Sequence, residues 1–172
     1  MTNLKQTISN LQDTFTKNPK SAIAFYHSSS ELKEGFKSNV ELRHHKLIVD
    51  EPTSIGGKDE GASPVELILA ALATCQEISY KAYATALDIP LEKVSVKLTG
   101  ELNLRGFLGI DKNTRPGYQN IKGSVDLVSS ASSEQLEKLK DIVDQHCPVL
   151  DILTNGVQVS IELEKNRLKK SA

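Results

Sequence analysis

Tryptophan is absent from this 172-residue chain, methionine occurs once, and there are only two cysteines, Cys75 and Cys147. With aromatics at 5% and hydrophobic residues at 38%, the core has to be built mainly from leucine, isoleucine, valine and alanine. Nowhere is there a run of about 20 apolar residues, so no membrane-spanning helix is expected. Residues 1–20 lack the apolar stretch of a secretory signal, and the chain reads as cytosolic. Charge of one sign is lacking too: 21 basic against 22 acidic residues leave a formal charge of −1. That balance provides no overall drive toward nucleic acid or an anionic membrane, and neither is expected as a partner. The histidines, His27, His44, His45 and His146, have no Cys-x-x-Cys companion and no ordered spacing, so neither a metal nor a cofactor is expected.

What is present divides into clear segments. Leu4, Ile8, Leu11 and Phe15 recur at helical spacing until Asn18-Pro19, which predicts one amphipathic N-terminal helix. From Ile23 to Val49 the texture is β: Ile23 and Phe25, Val40 and Leu42, Leu47 and Val49 predict two or three antiparallel strands. A turn-rich loop holding Gly56, Gly57 and Gly61 leads to Ser63-Pro64-Val65-Glu66, where Ser63 is the predicted N-cap, Pro64 the first helical residue and Glu66 the reciprocal capping carboxylate. Every residue from Leu67 through Ala73 is Leu, Ile or Ala, so this helix, which carries Cys75, is predicted to lie in the middle of the fold. Strands follow around Val94, Val96 and Leu98 and around Ile121, Val125 and Leu127, joined by a glycine-containing connection through residues 105–118. Ser132 with Gln135 forms a second capping box ahead of a helix lined by Leu136, Leu139, Ile142 and Val143. Residues 148–154 predict a short helix with a left-handed cap at Asn155-Gly156, and Val157, Val159, Ile161 and Leu163 predict a last strand. Without regular βαβ alternation the class is α+β, antiparallel sheets around a central buried helix.

In a reducing compartment two cysteines are apolar fillers or members of a working thiol site rather than a standing disulfide. A thiolate forms more easily near a helix N-terminus or a cation and less easily in apolar surroundings. By local physics Cys147, placed where an N-cap would sit ahead of Pro148, is the easier to ionise. Cys75, several turns into its own helix, needs a partner brought from elsewhere. Arg43, the one arginine that precedes it, is the candidate cation. As a dithiol couple the pair would take a peroxide through a sulfenic acid to a disulfide.

The stretches Gly56-Gly57-Lys58-Asp59-Glu60-Gly61, Ser63-Pro64-Val65-Glu66-Leu67, Ala70-Ala71-Leu72-Ala73-Thr74-Cys75, Leu104-Arg105-Gly106-Phe107-Leu108-Gly109 and Cys147-Pro148-Val149 resemble the OsmC/Ohr family of osmotically inducible and organic-hydroperoxide-resistance proteins. The resemblance covers roughly residues 36–163 and implies an OsmC-like domain over residues 21–165, flanked by the N-terminal helix (residues 1–20) and a basic tail (residues 166–172). It further implies an intertwined homodimer, an organic hydroperoxide as substrate and a dithiol as reductant. Cys75 then takes the attacking role and Cys147 the resolving one, which reverses the local ranking, with Arg43 steadying the thiolate. The family glutamate expected ten positions before the first cysteine is here Val65; Glu66, one step and about 100° along the helix, is the candidate in its place. Phe107 and Leu108 are candidates for the wall of an apolar substrate pocket. The alternative reading is an OsmC-like dimer with little peroxidase turnover that binds a small apolar ligand or senses redox state.

Overall fold

Both capping boxes form. In the computed structural model, which describes residues 3–164, Ser63 accepts from the Glu66 amide while the Glu66 carboxylate accepts from the Ser63 amide, opening α2 (Pro64–Ala86). Ser132 and Gln135 do the same for α4 (Ser133–His146). The remaining helices are α1 (Leu4–Lys17), a single turn α3 (Leu104–Phe107) that opens the connection between the second pair of strands, and α5 (Pro148–Asn155). Among the described residues five strands make two antiparallel sheets, β1 (Ser29–Glu34), β2 (Lys37–Leu42) and β3 (His45–Val49) in the first, β4 (Lys93–Leu102) and β5 (Tyr118–Val128) in the second. The class is α+β, as the sequence predicts. The basic tail lies outside the described residues.

The core sits where α4 crosses the C-terminal half of α2 over the β4–β5 ribbon. Tyr80 and Ala84 of α2 meet Leu139 and Val143 of α4, with Val94, Val125 and Leu127 of the sheet packed against them. Helix α1 lies along α2, pinned by an ion pair between Lys5 and Asp88, and leaves its own Leu4 and Leu11 half exposed.

Three sequence expectations need correction. Ile23 and Phe25 do not form the first strand; the polar segment 29–34 does, because it is the one in register with β2. Gly156 has φ +70° and ψ 166°, a positive φ but not the left-handed helical cap. Val157, Val159, Ile161 and Leu163 form no strand and pair with neither sheet, Ile161 being 90% exposed.

Helix α2 is central to the chain yet not covered on all sides. Its Ala70, Ala71, Thr74, Ile78 and Lys81 stripe is open. Among the described residues the β1–β3 sheet makes no extensive contact with any other helix or strand, and of its residues only Val49 is buried. At the end of β3, Asp50 closes the turn-rich loop by accepting from the amides of Glu51, Lys58 and Glu60. The loop turns so tightly there that a Cβ on Gly57 would lie 1.7 Å from the Glu51 carbonyl oxygen.

Candidate functional site

Proline at position 148 cannot continue α4, so the chain breaks at Cys147 and restarts at once. Cys147 is therefore both the C-cap of α4 and the N-cap of α5, and it is fully buried. Helix α5 packs on α2, and its first turn comes down beside the half-buried Cys75. The chain's two sulfurs thus meet from elements far apart in sequence.

Burial pushes the Cys75 thiol up, and the neighbouring Cys147 pushes it the same way; the Val149 amide and the Ser79 hydroxyl, which favour the thiolate, offset this only in part. The net shift is upward. Val149 is the second residue of α5, where the backbone N–H has no partner inside its own helix. The α5 N-terminus is thus turned toward Cys75, whereas local sequence assigned it to Cys147, whose side chain makes no capping bond. Tertiary packing of α5 on α2 accounts for the difference.

The other predicted residues lie apart from the thiols. Arg43 occupies the tight β2–β3 turn with φ +58°, exposed, and within the chain no cation acts on Cys75 among the described residues. Glu66 is committed to the cap: its carboxylate accepts from both the amide and the hydroxyl of Ser63, which holds its pKa below the usual carboxylate value. Phe107 and Leu108 are 66% and 63% exposed at the end of α3 and do not line the cavity described next.

A cavity of about 910 Å³ opens between the N-terminal half of α2, the sheet and the α4–α5 pair. Leu72, Val96, Leu98, Leu136 and Leu150 make it mainly apolar, while Gln76 and Tyr80 bring polar groups from α2. Burial and the Asp144 carboxylate push the Tyr80 hydroxyl up to about 12, so it stays protonated and can donate. Cys75 does not line this cavity, although Gln76 follows it directly. Sequence reasoning missed Ser79, Gln76 and Val149; the spacing of four between Cys75 and Ser79 on one helix was the one available signal.

A model of the OsmC-like protein family matches residues 57–162, from the loop ahead of α2 through the last apolar stretch. The chain belongs to that family. Its backbone agrees: an OsmC-like protein from Mycoplasma pneumoniae superposes with a TM-score of 0.67 at 18% identity, covering 81% of this chain and 95% of that one. An organic hydroperoxide resistance protein OsmC from Legionella pneumophila gives 0.61 at 20% identity, covering 78% and 93%. One from Elizabethkingia anophelis, named an organic hydroperoxide resistance protein, gives 0.61 at 14% identity, covering 77% and 90%. No curated protein matches the chain. Among the described residues of this OsmC-like protein no helix is long and apolar enough to cross a membrane, and no His, Cys, Asp and Glu side chains cluster as metal ligands.

Proposed function

We propose that this OsmC-like protein is a thiol peroxidase that reduces organic hydroperoxides. The observation that carries the reading is the meeting of Cys75 with Cys147, the only cysteines in the chain. The Cys75 thiolate attacks the terminal oxygen of the hydroperoxide, the O–O bond breaks, and the alkoxide takes a proton to leave as an alcohol. Cys75 is then a sulfenic acid. The Cys147 thiol attacks that sulfur, water departs, and a disulfide remains. A dithiol returns two electrons and two protons. The family, and solved relatives of this fold named for organic hydroperoxide resistance, support this chemistry.

The working unit in this proposal is a homodimer. The unpartnered β1–β3 sheet, the open stripe of α2 and the unpaired, apolar 157–163 segment each want a covering that one chain does not supply. Arg43, exposed on the outer turn of that sheet, is assigned to the thiolate of the second copy.

The test is to mix the reduced protein with one equivalent of cumene hydroperoxide and follow thiol loss by stopped flow. Rapid loss of both thiols is expected, abolished in Cys75→Ser and arrested at the sulfenic acid in Cys147→Ser. No thiol loss within minutes, or equal loss in Cys75→Ser, would refute the reading. The second reading, a slow redox sensor or binder of a small apolar ligand, is favoured by Val65, an apolar side chain where the family's glutamate is expected, and by the apolar cavity beside α2. Fast formation of the Cys75–Cys147 disulfide would exclude it.

A further inference from the structure

Hydroxyls on α2 have a habitual partner. Thr74 donates to the Ala70 carbonyl at 2.8 Å and Thr85 to the Lys81 carbonyl at 2.7 Å, each bonding back one turn as helical Ser and Thr commonly do. Ser79 makes no such back-bond, although it sits on the same helix and is only 8% exposed. One turn back from it stands Cys75. Side chains four residues apart lie over one another on a helix, and a helical side chain leans toward the N-terminus, so Ser79 stands over Cys75 with its hydroxyl near enough to favour the thiolate.

We propose that Ser79 is a positioning residue for Cys75, its hydroxyl donating to the thiolate from one turn along α2 while the Val149 amide donates from the start of α5. The proposal rests on Cys75 being the attacking thiol. Two neutral donors then hold the sulfur from two elements, and the position occupied by Val65 needs no carboxylate for that part of the work. Among the described titratable groups only Cys147 acts on Cys75. On α4, Asp144 is held by Lys140 and acts on Tyr80, and the His146 ring lies against Tyr83 with centroids 5.4 Å apart. On α5, Asp151 accepts from Asn155, and on α2 itself Glu77 accepts from the Val96 amide. The Ser79 bond is therefore readable as a shift in the Cys75 pH profile.

The experiment uses the full chain carrying Cys147→Ser, so that Cys75 is the single thiol, and measures the pH midpoint of its alkylation by iodoacetamide by mass spectrometry. Ser79→Ala is expected to raise the midpoint by about one pH unit, a tenfold loss of thiolate well below it, as fits one hydrogen bond to a charged group. Alanine is the best helix former, so the variant folds. Thr74→Ala, which removes a hydroxyl already bonded to a carbonyl, leaves the midpoint in place. An unmoved midpoint in Ser79→Ala, or an equal shift in Thr74→Ala, overturns the proposal. Consumption of cumene hydroperoxide is followed in parallel in the otherwise unchanged chain. A chain that consumes peroxide but shows no Ser79 shift sinks Ser79 alone; a chain that shows the shift but consumes no peroxide sinks the peroxidase reading and with it the role of Ser79 in attack.

Discussion

Oxidising the dithiol should stabilise the protein by an amount that its position in the chain sets. A bond from Cys75 to Cys147 closes a ring of roughly 70 residues, and the loss of freedom in the unfolded chain for a ring of that size is worth about 4 kcal/mol. Strain in the folded state would subtract from it. Little is expected, because α2 and α5 are already packed and the sulfurs already neighbours. In a protein of this size each kcal/mol moves Tm by roughly 2–4 °C, so the disulfide form should melt on the order of 10 °C above the dithiol form. The assay is calorimetry of both forms at one protein concentration, with mass spectrometry showing the loss of two hydrogens and Cys147→Ser as the form that gains nothing. A disulfide that forms and lowers Tm would mean that the sulfurs bond only by pulling α5 away from α2. That result would refute the packing from which the two-thiol cycle is argued.

Glu66→Gln should leave peroxide consumption unchanged, because glutamine also serves as the reciprocal partner in a capping box; a tenfold loss of rate with unaltered Tm would restore a catalytic role to Glu66. Leu139→Ala should cost about 2–5 kcal/mol in urea unfolding, since Leu139 is fully buried in the α2–α4 core and leaves a cavity when cut back; a loss under 1 kcal/mol would show that the core lies elsewhere. Asp50 presents a pH test: burial raises its pKa, but the Glu51, Glu60 and Lys58 amides outweigh it and hold the carboxyl below its ordinary value. Its contribution is therefore present above the unfolded carboxylate pKa of about 3.9 and fades as pH falls through the lower folded value, so Asp50→Asn should lose stability at pH 7 and far less at the acid end. Equal losses at both ends would refute the loop-closing role. For Cys75 the sign is reversed: a thiol raised by burial keeps its proton longer when folded, so its contribution is intact below the unfolded thiol pKa and lost as pH rises beyond it. In a variant held monomeric, alkylation of Cys75 at pH 7 should accordingly be slower than that of a free thiol, and a faster rate there would show a cation of the same chain acting on the sulfur.

Much of the fold is legible because its signals are local. Ser63 with Glu66, Ser132 with Gln135, and proline at positions 64 and 148 announce three helix starts within a few residues of chain, and each forms where the residues say. The strands are less legible where pairing rather than pattern decides. The polar segment 29–34 becomes β1 because the turn after it sets its register on β2, while the well-patterned 157–163 segment joins neither sheet of its own chain. Hydrophobic alternation specifies which face a strand would bury, not what will lie beside it.

The same distinction governs the thiols. An N-terminus can be read from Cys147-Pro148, but the target of its free amides is a matter of which helix packs across it, and that is tertiary. Local chemistry therefore names a donor without naming the acceptor. Once α5 lies on α2, the amide that looked like an activator of Cys147 faces Cys75, and the burial that makes Cys75 a poor acid also removes competing water from the hydrogen bonds offered to its thiolate. Those donors offset burial only partly in one chain, so attack at neutral pH requires one more favourable charge. Among residues the sequence nominates, Arg43 is the one left exposed to bring it, and it stands on a sheet against which no other helix or strand of the described residues packs extensively. Dimerisation and thiol reactivity are therefore expected to fail together: a variant held monomeric should retain the slow alkylation of Cys75 and lose the fast reaction with peroxide, and a monomer with full peroxidase activity would break that link.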